Sequence, residues 1–428
     1  MGATTDLHIA QPITLKSGLT LPNRLVKAAM AEELAGNDLL PNETLSTLYG
    51  RWSEGGWGLV LTGNVQVDHM HLGSSNGLAF DNTLPAATTL EAYKAYATAA
   101  KGGPNGTTPV IVQLNHPGRQ APGFAGRRSF FSKAIAPSAL PMDLGRGILA
   151  RVLNRLVFGT PREMTTADIE AVKAQFVRGA RVVADAGFDG VEIHAAHGYL
   201  LAQFLSAEGN VRTDKYGGTP ENRARIVAEI VEAIKSEVKG KAGFTVGVKL
   251  NSVDHQSVDD LRNCIKQLKV ITDAGVDFLE ISGGSYEDPQ MAVGPADHEK
   301  KQRSDRTEAR EAFFLEFASS IRSEFPGIPL IVTGGFRSRK GMEAAVAAGD
   351  CDMIGIGRPA VLNPLLPQTI VFNPEVKEQD ATLYVKKLET PWIIKFLDVK
   401  AIGAGIETIW YSGQMKEVTK PSTKQSLA

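Results

Sequence analysis

The stretch EIHAAHGYLL, Glu192 to Leu201, sets two imidazoles three positions apart and follows them with a phenol: His194, His197 and Tyr199. Two histidines so spaced can ligate a metal ion, but no cysteine and no third ligand at the usual zinc spacings accompanies them. A histidine can equally be a satisfied core residue. The tyrosine immediately behind the pair favours a different account, two hydrogen-bond donors beside an acid. A second kind of chemistry is written further on, where Gly334-Gly335 follows Thr333 and Gly357-Arg358 follows Ile356. Glycines straight after a strand let backbone N–H groups approach a phosphate, and an arginine adds a planar positive fork. One such glycine pair would be only a tight turn; two loops with an arginine read as a phosphate cradle. Gly403-Ala404-Gly405 has no strand before it, so it is a poor dinucleotide fingerprint.

These residues need a scaffold that brings them to one place. From residue 25 to residue 372, short β-branched runs alternate with longer segments of helical apolar spacing, the pattern of a parallel sheet covered by helices. The predicted strands are Leu25 to Ala29, Gly58 to Thr62, Pro109 to Gln113, Gly190 to His194, Phe244 to Leu250, Phe278 to Ile281, Pro329 to Thr333 and Met353 to Ile356. Helices are predicted over Ala167 to Ala186, with Thr165 and Asp168 as a capping box, and over Arg223 to Val238. Eight strand-helix units predict an α/β fold, a (β/α)8 TIM barrel, although a doubly wound open sheet uses the same units. In such a barrel the carboxyl ends of the strands build the active site. Asn64, Gln113, His194, Lys249 with Asn251, Ser282-Gly283-Gly284, Thr333-Gly334-Gly335 and Gly357-Arg358 all fall there. On strand four the alternation turns Val191 and Ile193 toward the helices and His194 into the barrel mouth.

Two stretches interrupt the rhythm. Asn115 to Thr160, rich in Gly, Pro and Arg, is too long for a simple connection and is expected to form a lid. The barrel is assigned to residues 1–372, and 373–428 is expected to form an extension packing on the barrel or on a neighbouring subunit of a homo-oligomer.

Composition excludes several classes. The 428 residues are 43% hydrophobic and 22% charged, with 46 Lys and Arg against 47 Asp and Glu, so no global field draws the chain to nucleic acid or a membrane. The expected partner is a small molecule. Cys264 and Cys351 form neither a disulfide framework nor a cysteine metal site. The beginning of the chain lacks a signal-peptide pattern and the end is only loosely like a peroxisomal tripeptide, so a cytoplasmic location is expected.

The same motifs resemble a known family. EIHAAHGYLL, RTDKYGGTPENRAR (Arg212 to Arg225), LPNRLVKAAM (Leu21 to Met30), VQLNHPGR (Val112 to Arg119), VKLNS (Val248 to Ser252), ISGGSYEDP (Ile281 to Pro289), VTGGFRSR (Val332 to Arg339) and IGIGRP (Ile354 to Pro359) are similar to the old yellow enzyme family of FMN-dependent ene-reductases, in its thermophilic-type HAAHGY branch. The resemblance runs from about residue 12 to residue 372. It implies FMN as cofactor, NADPH or NADH as electron donor and an activated alkene as substrate. It also implies that Ala29 and Met30 lie along the flavin ring with Asn64 beside them, that Gln113 bonds the pyrimidine edge, and that Lys249 sits near N1. Gly334, Gly335, Gly357 and Arg358 would cradle the phosphate. His194 and His197 would bind and polarise the electron-withdrawing oxygen of the substrate, and Tyr199 would protonate the carbon opposite the hydride. Three positions depart from the family pattern: Ala31 for Cys or Thr, Glu33 for a substrate-contacting tyrosine, and Lys249 for Arg. Other flavin oxidoreductases, such as an oxidase or dienoyl reductase, and a non-redox flavin-binding barrel (an isomerase or biosynthetic chaperone) are the alternatives.

Overall fold

The computed structural model of the chain describes residues 6–129, 132–145, 147–252, 258–282, 317–386, 388 and 400–420. Strands β1 (Leu25–Lys27), β2 (Leu59–Gln66), β3 (Val110–Asn115), β4 (Gly190–Ala195), β5 (Thr245–Asn251), β6 (Phe278–Ser282), β7 (Leu330–Thr333) and β8 (Met353–Ile356) pair in parallel, each with the next. β8 pairs with β1 through Ile354 and Leu25, and β1 with β2 through Val26 and Leu59, so the sheet closes on itself. The barrel is therefore a (β/α)8 barrel and the open-sheet alternative falls.

Strand alternation sorts the apolar residues into two layers. Val26, Leu59, Leu61, Ile111, Phe278, Ile331 and Met353 are buried together inside the barrel, with Leu15 and Leu21 beside them. The last two belong to an antiparallel hairpin, Ile13–Thr14 with Thr20–Leu21, that plugs the amino ends of the strands. Their neighbours Val60, Val112, Val191, Ile193, Val248, Leu279, Val332 and Ile354 face outward into a separate core with the helices. Each such side chain contributes roughly 1.5–3 kcal/mol on burial. Gly247 on β5 is required by this packing, because a Cβ there would stand 2.1 Å from the Phe278 ring.

The covering helices are α1 (Glu43–Ser53), α2 (Ala86–Ala100), α4 (Thr166–Ala186), α6 (Pro220–Glu237), α7 (Val258–Asp273) and α8 (Arg339–Ala347). Helix α3 (Ile148–Val157), the short α5 (Leu200–Leu205) and α9 (Arg358–Leu362), and α10 (Lys400–Val418) belong to the connections and the tail. Thr165 and Asp168 form the expected capping box of α4, and Gly187, at φ 93°, ends that helix. Among the described residues no helix is long and apolar enough to cross a membrane.

Strand one is shorter than predicted. Its ladder ends at Lys27, with one further bond from Ala28 N–H to the Ile356 carbonyl at 3.0 Å, so Ala29 and Met30 lie in the loop beyond it. β2 is longer than predicted and carries a bulge between Leu61 and Asn64 that re-aims the residues at its carboxyl end. Residues 283–316, including Gly283 and Gly284, lie outside the described part.

Candidate active site

A cavity of about 700 Å³ opens at the carboxyl ends of the strands, a size usual for small-molecule and cofactor sites. Ala29, Met30, Asn64, Gln113, His194, His197, Tyr199, Lys249, Gly334, Gly335, Gly357 and Arg358 all line it. The fold thus gathers into one space residues up to 329 positions apart in the chain, Ala29 and Arg358 being the extremes.

At one side, His194 and His197 form a relay. The Ala196 N–H donates to His194 Nδ1 at 3.2 Å, which puts the ring proton of His194 on Nε2, 3.1 Å from His197 Nδ1. The His197 proton then lies on Nε2, 3.2 Å from the Ser282 hydroxyl. His197 adopts a left-handed φ of 57° and its N–H is held by the Asn251 side chain at 2.9 Å. Backbone strain of this kind collects at working sites. Burial, with His197 and Lys249 nearby, pushes His194 well below the ordinary imidazole range; burial and Lys249 take His197 down to about 3. Both rings are neutral donors at physiological pH. Tyr199 meets His194 edge-on, with ring centroids 4.9 Å apart, and the Asn64 side-chain N–H reaches its hydroxyl at 3.4 Å.

These imidazole shifts predict a pH profile. A group whose folded pKa is depressed from about 6.5 to about 3 does not titrate at a working pH of 5.5–8. Turnover should show no limb near pH 6.5 arising from these histidines, and a stopped-flow series across that range checks it. The same depression makes the folded state lose stability as pH falls from about 6.5 toward 3, because the unfolded chain binds the proton first.

The floor of the cavity is polar where the strand parity makes it so. Lys249 donates to Glu280 Oε1 at 2.6 Å, and the Gln113 amide donates to Glu192 Oε1 at 2.6 Å; all four side chains are at most 2% exposed. Behind β1, Lys27 lies 4.0 Å above the Trp52 ring, and Tyr49 donates to Glu32, which also accepts from the Gly63 N–H at 2.9 Å. Burial lowers Lys27 to about 8. This layer fixes the carboxyl ends of β1 and β2. Glu33, at φ 58°, is pinned by the Ser74 hydroxyl, and burial raises its carboxyl above the usual range.

At the other side, Gly334 and Gly335 both take positive φ, 125° and 85°, a backbone path open to glycine. Arg358, just after Gly357, reaches Glu407 of α10 at 2.9 Å. Helix α10 completes the rim with Glu407, Thr408, Ile409, Tyr411 and Ser412, and the Ser412 hydroxyl donates to the Ala31 carbonyl at 3.2 Å. The extension thus reaches the barrel mouth of its own chain.

Sequence reasoning missed Glu280 and Glu407. Glu280 had a usable signal, since it has the inward parity of Phe278 and Ser282 on β6. Glu407 had none. A histidine cluster away from the cavity was also missed: Asp68 accepts from His71 Nδ1 at 2.7 Å, and His116 Nε2 stands 3.6 Å from the same oxygen. The Gly118 N–H donates to His116 Nδ1 at 3.0 Å, which leaves the proton on Nε2 facing the carboxylate. Two N–H groups directed at one carboxylate make a clamp between the loops after β2 and β3, and a metal there would have to displace that proton.

Residues 8–375 match the model of the NADH:flavin oxidoreductase / NADH oxidase family, and the chain belongs to that family. It is 53% identical to an NADH-dependent flavin oxidoreductase of Neonectria sp. over 95% of this chain, although it spans only 53% of that relative's length. It is 50% identical to an NADH-dependent flavin oxidoreductase of Talaromyces variabilis over 97% of this chain and 99% of that one. Its fold is that of an old yellow enzyme homologue from Zymomonas mobilis, with a TM-score of 0.67, 22% identity, and coverage of 92% of this chain and 98% of that one.

Proposed function

We propose that the chain is an FMN-dependent oxidoreductase that takes electrons from NADH and reduces the double bond of activated alkenes, enones and enals. The observation that carries this reading is one cavity holding a glycine-arginine cradle at one side and the His194, His197 and Tyr199 set at the other, with Lys249 and Gln113 on its floor. The names of two relatives, both NADH-dependent flavin oxidoreductases, support NADH as the donor.

The residues fit FMN. Gly334 and Gly335, both at positive φ, line the cavity with Arg358, whose guanidinium suits a phosphate; the small residues Ala28, Ala29 and Gly355 line it too, which suits a ring, and Lys249 brings a cation to its wall. When bound, FMN supplies the hydride chemistry, accepting it from the nicotinamide and returning it to the alkene. His194 and His197, as neutral donors, hold the substrate oxygen and draw charge toward it, His194 Nε2–H giving up its bond to His197 Nδ1 and His197 Nε2–H its bond to Ser282 to do so. Tyr199 stands beside them to donate a proton to the carbon that receives no hydride. Ala31, where the family pattern has Cys or Thr, lines the cavity.

One phosphate cradle implies FMN rather than FAD. Heating the purified protein should release a flavin that runs as FMN on chromatography, and recovery of FAD would defeat the assignment. Turnover of cyclohexenone with NADH tests the reaction; a bound flavin that oxidises NADH but ignores enones and enals would sink the alkene part.

A further inference from the structure

Lys249 is the one lysine lining the cavity among the described residues, and it is not alone in charge. Glu280, one strand over in direct register, accepts from its ammonium at 2.6 Å with both groups at most 2% exposed. A second carboxyl, Glu192, lies on the other side of β5 within hydrogen-bonding reach of Glu280. Each carboxyl keeps one buried oxygen, Glu192 Oε2 and Glu280 Oε2, for which the structure offers no N–H donor. Two carboxyls within hydrogen-bonding reach of one another are joined by a single shared proton.

Burial and the neighbouring Glu280 drive the Glu192 carboxyl far above its ordinary range; for Glu280 burial is opposed by the Lys249 charge and by hydrogen bonds from Glu192, Lys249 and Thr333, which together hold it below its own. The proton therefore sits on Glu192, and Gln113, donating to Glu192 Oε1, anchors that carboxyl from β3. The group is a net-neutral triad: an ammonium at the cavity wall, a carboxylate behind it and a carboxylic acid behind that. Neither carboxyl lines the cavity.

We propose that Glu280 is a positioning residue that both aims Lys249 into the cavity and cancels most of its charge there, with Glu192 as its proton-bearing support, so that the triad sets the reduction potential of the bound flavin. This rests on the FMN reading above. A lone cation beside a ring that gains negative charge on reduction favours the reduced form strongly, and one already neutralised favours it far less. The arrangement keeps the bound cofactor a stronger reductant than Lys249 alone would allow.

The test is the potential of the purified flavoprotein, measured anaerobically against indicator dyes. Glu280→Gln should raise it. Because Glu192 can ionise once Glu280 is neutral, the deciding variant is E192Q/E280Q, in which the reduced flavin should gain at least about tenfold in binding relative to the oxidised, about 30 mV for a two-electron couple. An unchanged or lowered potential in that double variant overturns the proposal. An unpaired buried ammonium can prevent folding. K249M/E280M, which swaps the pair for apolar side chains of similar volume, is therefore measured as well. Removing a neutral pair should leave the relative affinity within about threefold of wild type, whereas a fall of tenfold or more would show that Lys249 acts as a full cation and overturn the idea. A wild-type protein that takes up no FMN contradicts the FMN reading itself, and a yellow protein with the wrong shifts contradicts only this inference.

Discussion

Tyr199→Phe should slow reoxidation of the reduced protein by an enone by about 10²-fold or more, the usual loss for a general acid, while reduction by NADH continues at close to the wild-type rate. An alkene held through its oxygen still needs a proton at the carbon that receives no hydride, so an acid must stand in the cavity. The two histidines cannot be that acid at neutral pH, because burial and neighbouring charge push His194 well below the ordinary imidazole range and take His197 down to about 3, so neither ring carries a second proton. A phenol keeps its proton at neutral pH and can surrender it to a developing carbanion. Tyr199 contacts the His194 ring and receives the Asn64 N–H, which fixes its hydroxyl at the cavity wall. The loss of one oxygen atom barely alters packing, so both half-reactions slowing together would mean that the side chain shapes the pocket. An unchanged enone rate would transfer the role to Glu33, whose buried carboxyl is also raised toward the protonated form. Reoxidation by oxygen, which needs no carbon protonation, should survive.

Arg358→Ala should weaken FMN binding by roughly 10- to 100-fold, since hydrogen bonds to charged groups are worth about 1.5–3 kcal/mol each. The guanidinium sits at the end of β8 beside the Gly334 and Gly335 loop, where its fork can meet a phosphate in place of Glu407 Oε2, now 2.9 Å away. Removing it also leaves the Glu407 carboxylate facing an anion, and that repulsion adds to the loss. Arg358→Lys should recover only part of the affinity, because a point charge does not replace a planar fork. Titrating the flavin-free protein with FMN and following fluorescence quenching measures this. Unchanged affinity in Arg358→Ala would place the phosphate elsewhere in the cavity.

Much of the barrel was legible because its rule is local. Val191 and Ile193 go outward and Glu192 and His194 inward by the two-residue period of a strand, and the same rule places Gln113 and Lys249, whereas Asn64 reaches the cavity through the bulge on β2. The glycines after β7 and β8 were legible for a similar reason, since a turn at a strand end leaves few residue types. What escaped depends on contacts between distant segments. Glu280 becomes meaningful only through the register of β5 on β6, which sets it opposite Lys249. Glu407 reaches Arg358 only because α10 folds back over the mouth, and no spacing in the tail encodes that return. Lys27 lies within the predicted strand Leu25 to Ala29 with nothing to mark it; its burial against Trp52 follows from the outward parity of β1, a strand too short to show a pattern. The histidine clamp at Asp68 likewise joins two loops that sequence separates by 45 positions or more.

The visible spectrum of the purified protein, recorded under anaerobic conditions before and after addition of NADH and then of an enone, tests the central claim most directly. The expected result is a yellow protein with flavin bands that bleach with NADH and return with the enone. A colourless protein, or a yellow one whose bands ignore NADH or stay bleached when the enone is added, would contradict it.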